Sequence, residues 1–145
     1  MRIALKEAEE AYAIGEVPVG AVVVINGAVI ARGHNLRESL NDATAHAEII
    51  ALREAARKLG DWRLGEATVY TTIEPCAMCA GALVQFRVKR VIYGAKDPKA
   101  GAAGSVVDLL QESRFNHQVE VVDGVLEGEC REVMQRFFQH MRGKT

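Results

Sequence analysis

The sequence contains no long hydrophobic segment and no excess of either charge. No apolar run approaches the roughly 20 residues that a membrane-spanning helix needs. The acidic, helix-forming residues 1–13 do not have the pattern of a signal or transit peptide. We therefore expect a cytoplasmic protein without a membrane span. The formal net charge is −1, which excludes a polycation, so nucleic-acid binding would need a local basic patch.

The sequence also has too few cysteines for a disulfide framework. It contains three, and two of them have the spacing C-x-x-C, which favours a reducing compartment. Internal repeats, linkers and low-complexity stretches are absent as well. A chain of 145 residues, of which 49% are hydrophobic, can bury a sufficient core as one domain, residues 1–145.

Helical and strand patterns alternate along the chain. We predict strands at 21–25, 28–31, 68–73, 88–93 and 119–122, with a hairpin turn at Asn26-Gly27. We predict helices at 2–14, from 44 or 46 to 58, from Pro75 onward, at about 106–111 and at 126–141. This order predicts an α/β fold in which a mixed sheet carries helices on both faces.

Two short motifs carry the residues of a catalytic metal site. His46 and Glu48 form H-x-E, and Pro75, Cys76 and Cys79 form P-C-x-x-C. One imidazole and two thiolates suit zinc, and three protein ligands leave the fourth tetrahedral position open. Each motif is placed at the start of a helix, whose N-terminus favours the thiolate forms of the cysteines. Glu48 is then free to transfer protons.

Other roles for these residues were weighed. A capping-box role for Glu48 would require Ser or Thr at position 45, where Ala45 stands. Cys130 as a fourth ligand would make a closed structural zinc site. Cys130, however, falls in an apolar helical stripe, where a cysteine acts as a small hydrophobe. C-x-x-C without the H-x-E motif is also compatible with redox activity.

Several further residues are candidates for substrate contacts. A basic run occupies residues 87–99, with Arg87, Lys89, Arg90, Lys96 and Lys99 opposed only by Asp97. This run is either a phosphate-binding patch or an ordinary solvated surface. His117 is either a substrate contact or a structural residue, and we interpret His34 and His140 as structural.

The pair of motifs H-x-E and P-C-x-x-C is typical of zinc nucleobase deaminases. Within them the chain resembles the bacterial tRNA-specific adenosine deaminases. The matching stretches are 15–21 (GEVPVGA), 44–49 (TAHAEI), 74–82 (EPCAMCAGA), 93–97 (YGAKD), 101–105 (GAAGS) and Asn116-His117. The likeness runs almost from end to end, with one departure, Ala43, where the family usually has Pro. That departure affects the rigidity of the loop before His46.

The resemblance implies a cytidine-deaminase-like, three-layer α/β/α fold with a five-stranded mixed sheet. It implies a homodimer with one Zn²⁺ per subunit that edits adenosine to inosine at the wobble position of the tRNA anticodon stem-loop. By position, Asn35 and the backbone N–H of Ala47 would contact the base. We add Lys96, Asp97, Lys99 and His117 as candidate substrate contacts. Arg136, Arg142 and Lys144 are further candidates for holding phosphates.

The motifs together suggest a mechanism. Zinc would lower the pKa of a bound water towards ~7 and so produce hydroxide at neutral pH. Glu48 would pass the water proton to N1 of the purine while hydroxide attacks C6, and would then protonate the departing amine. Two rival functions remain. One is the deamination of free guanine or a nucleoside, and the other is a zinc-stabilised nucleic-acid-binding module without catalysis.

Overall fold

The fold is built on one five-stranded mixed sheet. The computed structural model describes residues 1–143, so Lys144 lies outside the described residues. The strands are β1 Gly20–Ile25, β2 Ala28–His34, β3 Thr68–Ile73, β4 Arg90–Ala95 and β5 Glu120–Val122. Their order in the sheet is β2-β1-β3-β4-β5. β1 pairs antiparallel with β2 and β3, whereas β3, β4 and β5 run parallel. The predicted mixed sheet is confirmed.

Four helices cover the two faces of this sheet. They are α1 Arg2–Ala13, α2 Ala47–Leu59, α3 Ala77–Gln85 and α4 Glu127–Arg142. α2 and α3 contact each other on one face, and α1 and α4 contact each other on the other. The core beneath α2 and α3 combines strand residues such as Val23 and Val69 with Leu52 and Leu83. The three-layer α/β/α architecture follows.

Close packing of α2 on the sheet depends on a glycine in β2. A Cβ atom on Gly33 would lie 2.5 Å from the backbone oxygen of Ala47 and 2.9 Å from the backbone nitrogen of Ala51. The first turn of α2 therefore sits directly on the β2 backbone. Because His46 and Glu48 flank Ala47, this contact also fixes how closely the H-x-E motif lies against the sheet.

The hairpin turn between β1 and β2 has the predicted form. Asn26 and Gly27 both have positive φ, 51° and 76°, as a type I′ turn requires. β2 continues three residues beyond the predicted end, to His34. That extension brings the loop after β2 to the same edge of the molecule as the start of α2.

Two helix predictions need correction. Pro75 does not open α3; the helix begins at Ala77, with Cys76 in an extended conformation as its N-cap. Residues 106–111 form no helix. The backbone N–H of Val106 bonds instead to the oxygen of Gly101, and that of Leu109 bonds to the oxygen of Ala102. These bonds fold the segment back on the preceding loop, and of its apolar residues Leu110 is buried whereas Val106 and Val107 are exposed. Within residues 1–143, no helix combines the length and the apolar character that crossing a membrane requires.

Candidate active site

The two predicted motifs meet at the N-termini of α2 and α3. His46 is the N-cap of α2 with φ −78° and ψ 153°, and Cys76 is the N-cap of α3 with φ −73° and ψ 177°. Cys79 lies in the first turn of α3 and is buried. The extended backbone at His46 lets its side chain and that of Glu48 face the same region, although two residues apart on a helix they would diverge. The predicted placement at helix starts is confirmed.

The three donor atoms have the spacing of a zinc site. Nδ1 of His46 lies 3.6 Å from Sγ of Cys76 and 3.6 Å from Sγ of Cys79. With Zn–S about 2.3 Å and Zn–N about 2.0–2.1 Å, tetrahedral coordination requires a nitrogen-to-sulfur separation of about 3.5–3.6 Å. The three ligand atoms lie within 4.8 Å of one another. The two nitrogen-to-sulfur separations therefore fit one Zn²⁺ held by these three residues.

Cys130 does not contribute a fourth ligand in this arrangement. It is buried on α4, and its Sγ lies 2.3 Å from where a Cβ on Gly94 would stand. Within the described part of the chain, the side chains gathered around Nδ1 of His46 as possible ligands are those of Cys76 and Cys79. The closed structural site considered above is thus not formed, and Cys130 packs as a small hydrophobe.

The loop that delivers His46 is held by an aspartate. Oδ1 of Asp42 accepts hydrogen bonds from the backbone N–H of Thr44 at 2.8 Å and from its hydroxyl at 2.7 Å. These bonds lower the pKa of Asp42. The backbone N–H of His46 bonds in turn to the oxygen of Thr44 at 2.8 Å. The turn around Ala43 is therefore fixed by hydrogen bonds without a proline.

Glu48 is placed for proton transfer beside the donor atoms. It lies in the first turn of α2, is only 4% exposed, and lines the same cavity as His46 and Cys76. Burial raises the pKa of Glu48 to about 7. A carboxyl group that titrates near neutral pH can both accept and return a proton efficiently. The metal-free site therefore contains a carboxyl group that titrates near neutral pH.

The thiols are already polarised without a metal ion. A hydrogen bond from Cys79 lowers the pKa of Cys76 to about 4, and His46 acts in the same direction against the effect of burial. The same hydrogen bond, together with burial, raises the pKa of Cys79. Contact with Cys76 raises the pKa of His46. The lowered pKa favours the thiolate form of Cys76, and a bound cation would favour deprotonation of Cys79 as well.

The cavity above these groups has the size of a small ligand. Its volume is about 280 Å³, near the lower end of the roughly 300–1,000 Å³ of small-molecule sites. Residues from both flanking loops and from α4 line it, including Asn35, Arg37, Ala47, Glu74, Asp97, Ala100, Met134 and Phe138. A larger and more open groove of about 870 Å³ runs between β2 and α2. It contains none of the three ligand residues, whereas His46 and Cys76 line the smaller cavity.

Three of the predicted substrate contacts border the cavity. They are Asn35, Ala47 and Asp97. The side-chain amide of Asn35 donates to the oxygen of Val17 at 3.2 Å, and its oxygen accepts from the backbone N–H of Arg37 at 3.1 Å. These bonds hold the side chain in a defined orientation at the wall of the cavity.

The other predicted contacts lie outside the cavity. Lys99 borders an adjoining groove with Arg131 and Arg142, and this groove meets the cavity at Met134 and Phe138. Nζ of Lys96 lies 3.8 Å from Asp123. Ring nitrogen Nε2 of His117 bonds to the oxygen of Val88 at 2.8 Å. Arg136 bonds to Glu9. Their substrate roles stay predictions.

Glu74 and Phe138 were not singled out from the sequence as site residues. Glu74 stands directly before Pro75 in a matching stretch, and that position was the available signal. Phe138 is 44% exposed, whereas its neighbour Phe137 is buried. The sequence pattern of the last helix carries no signal that separates these two rings.

Comparison with known proteins gives a consistent result. A family model described as MafB19-like deaminase matches residues 1–142. The chain is 56% identical to the tRNA-specific adenosine deaminase of Bacillus subtilis, over 99% of this chain and 89% of that protein.

Two solved structures place the fold. A chain from a study of A-to-I editing by tRNA:A34 deaminases at the wobble position of transfer RNA has a TM-score of 0.89 at 47% identity. That match covers 92% of this chain and 96% of the other. Guanine deaminase from Bacillus subtilis has a TM-score of 0.63 at 43% identity, and covers 66% of this chain and 61% of its own. The editing-study structure therefore matches over a larger share of both chains.

Proposed function

The chain belongs to the family of tRNA-specific adenosine deaminases, and from this we propose that it deaminates adenosine to inosine at the wobble position of the tRNA anticodon. The reaction consumes one water and releases one ammonia. The observation that carries the proposal is the cluster of three zinc-type donors, two of which, His46 and Cys76, line one base-sized cavity together with the buried carboxyl group of Glu48. The near full-length likeness to tRNA-specific adenosine deaminases supplies the substrate class.

His46, Cys76 and Cys79 would hold one zinc ion per subunit. The ion supplies a Lewis acid that makes a coordinated water acidic near neutral pH. The three residues come from two helix N-termini that are packed on the same sheet face. The ligand set is therefore held by rigid elements, and its geometry does not depend on a mobile loop.

Glu48 moves the protons. It takes a proton from the attacking water and delivers it to N1 of the adenine, which makes C6 more electrophilic. As the tetrahedral carbon collapses, Glu48 takes the remaining proton of the added hydroxyl and passes it to the amino group, so that C6 gains its carbonyl and ammonia leaves. Burial keeps this proton from exchanging freely with bulk water.

Asn35 and Ala47 would recognise the adenine at the cavity wall. The cavity accepts a base but not a stem, so the wobble nucleotide must leave its stack. In a single-stranded anticodon loop that unstacking is inexpensive. The adjoining groove, with Lys99 and Arg131, offers positive charge to the neighbouring phosphates. We further propose that the protein acts in the cytoplasm and forms a homodimer. Light scattering of the purified protein would test the homodimer.

The test is direct. Zinc-loaded protein is incubated with a tRNA transcript that carries adenosine at the first anticodon position, and the product is sequenced. We expect that adenosine to be read as guanosine, and we expect no change with the Glu48→Ala variant, which should still bind zinc.

A parallel incubation with free guanine and with free nucleosides tests the rival function. Ammonia release from free guanine but not from tRNA would replace the proposal with a free-base deaminase, a class to which one structural relative belongs. Zinc binding without either reaction would leave the non-catalytic binding module.

A further inference from the structure

A second buried carboxylate lies next to the metal ligands and is not needed for proton transfer. Glu74 is 3% exposed and stands two residues before Cys76. Its two oxygens accept four hydrogen bonds, from the backbone N–H groups of Asp97 (3.0 Å), Ala103 (2.9 Å) and Ser105 (3.1 Å) and from the hydroxyl of Ser105. All four donors belong to residues 97–105, here named the wall loop.

The wall loop forms one side of the substrate cavity. Asp97 and Ala100 line the cavity, and Lys99 lines the adjoining groove. The loop contains neither a helix nor a regular strand. Its direct backbone contacts with the metal-binding segment include a bond from Ala102 N–H to the oxygen of Pro75 at 2.8 Å. Within the loop, Asp97 accepts hydrogen bonds from the N–H of Gly101 at its backbone oxygen and from the N–H groups of Lys99 and Ala100 at Oδ1. The bonds to Glu74 join the two ends of the loop to the metal-binding segment.

The loop is shaped to receive this carboxylate. A Cβ atom on Gly101 would lie 2.3–2.4 Å from the carboxyl atoms of Glu74. Gly101 also pairs with Cys76 through an isolated β-bridge. The loop backbone therefore closes directly over the carboxylate, beside a zinc ligand, with no space for a side chain between them.

We propose that Glu74 is a positioning residue that fixes the wall loop against the zinc-binding segment and thereby sets the shape of the substrate cavity. Both of its oxygens accept hydrogen bonds from the wall loop, so the carboxylate holds this wall of the cavity. The part of this inference that concerns substrate rests on the proposed function. The part that concerns the loop does not.

Glutamine is the informative replacement at this position. Glu74→Gln keeps the size and shape of the side chain but turns one oxygen into an NH₂ group, which cannot accept a hydrogen bond. If the NH₂ group replaces Oε2, the N–H groups of Ala103 and Ser105 face another donor. If it replaces Oε1, the N–H of Asp97 does so, while the Ser105 hydroxyl can rotate to accept. Hydrogen bonds to a charged group are among the strongest in proteins, so the closed position of the loop loses a large share of its support.

Glu16 provides a matched control. It is 1% exposed, and it accepts hydrogen bonds from the N–H groups of Glu38 (3.1 Å) and Ser39 (2.6 Å) and from the hydroxyl of Ser39. It therefore has the same chemistry and burial as Glu74 but holds a different loop. Glu16→Gln separates the loss of any buried carboxylate from the loss of this one.

The first measurement is hydrogen exchange of single amides by NMR in zinc-loaded protein. In Glu74→Gln we expect the amides of Asp97, Ala103 and Ser105 to exchange at least about tenfold faster than in wild type, the factor that corresponds to ~1.4 kcal/mol. Glu16→Gln should leave those three amides protected. Unchanged protection in Glu74→Gln would overturn the inference.

The second measurement separates KM from kcat. Glu48 and the zinc ligands His46 and Cys79 belong neither to the wall loop nor to its contact with Glu74, so Glu74→Gln should leave them in place. A loosened wall loop should instead lower the fraction of protein whose cavity is competent to bind substrate. Apparent affinity falls in proportion to that fraction. We expect KM for an anticodon stem-loop to rise about tenfold while kcat falls less than about threefold, with zinc at one ion per chain. The exposed Glu54→Gln variant should match wild type.

A fall in kcat with KM unchanged would overturn the positioning role. Failure of the proposed function looks different, because wild-type protein would then edit no RNA while the amide exchange still responded to Glu74→Gln. If Glu74→Gln does not fold, Ser105→Ala removes only the hydroxyl bond from an exposed residue. That variant should speed exchange at the same amides to a smaller degree, and unchanged exchange would again refute the positioning role of Glu74.

Discussion

Replacing Glu48 by Gln should make the metal-free protein more stable at alkaline pH while abolishing turnover. Folding raises the pKa of Glu48 from 4.5 to about 7 because the carboxyl group is buried. Between pH 4.5 and 7, Glu48 is protonated in the folded protein and ionised in the unfolded protein, so folding takes up a proton. The free energy of unfolding of the wild-type protein therefore falls as the pH rises across that window. The shift corresponds to at most about 3 kcal/mol, fully lost above pH 7.

The Glu48→Gln variant cannot ionise at this position. Its free energy of unfolding should therefore exceed that of the wild type by up to about 3 kcal/mol at pH 8 and should be close to it at pH 4.5. Urea titrations of chelator-treated proteins at the two pH values measure the difference. Glu54→Gln, an exposed change on the same helix, should show no such pH-dependent gain.

The same variant should lose catalysis in the zinc-loaded state. General acid–base catalysis contributes about 10²–10⁴-fold, which is about 3–5 kcal/mol of transition-state stabilisation. Single-turnover deamination of an anticodon stem-loop measures the loss, with zinc content determined in parallel. Equal stability of the two proteins at pH 8, or turnover near the wild-type rate, would refute the assignment of Glu48 as a buried proton carrier.

Three further changes test separate parts of the structure. Gly33→Ala should destabilise the protein by about 1–3 kcal/mol in urea unfolding, because its Cβ would meet the α2 backbone. Gly65→Ala, with open space at its Cβ, should change stability by less than about 0.5 kcal/mol. Cys76→Ser should lower zinc content well below one ion per chain and abolish activity, whereas Cys130→Ala should retain the metal. If Lys99 contacts a phosphate, Lys99→Ala should reduce the slope of log affinity against log salt by about 0.7; an unchanged slope would show that it does not.

The metal site was predictable because its information is local. His46 and Glu48, and Cys76 and Cys79, are close in sequence, and each pair lies at a helix N-terminus, where an extended N-cap residue lets the two side chains face one region. Tight turns also have sequence signals, such as Asn26-Gly27 between the first two strands. These local features predicted the residues that the structure brings together and the mixed sheet.

The rest depends on contacts between distant segments. The donors to Glu74 lie 23–31 residues away along the chain, so the sequence pattern around Glu74 does not reveal them. The predicted helix at 106–111 was wrong for the same reason, because bonds from Val106 and Leu109 to the preceding loop outweigh local helical propensity. Lys99 and His117 were both predicted to contact the substrate from their positions in the sequence. The structure places Lys99 in the groove beside the cavity, whereas His117 bonds to the backbone oxygen of Val88.

The measurement that tests the zinc site most directly is X-ray absorption at the zinc edge of the loaded protein. The arrangement of His46, Cys76 and Cys79 predicts two sulfur ligands at about 2.3 Å and two nitrogen or oxygen ligands at about 2.0–2.1 Å. A third sulfur in the coordination shell would contradict this, since it would mean that Cys130 closes the site and that no position remains for the water that deamination requires.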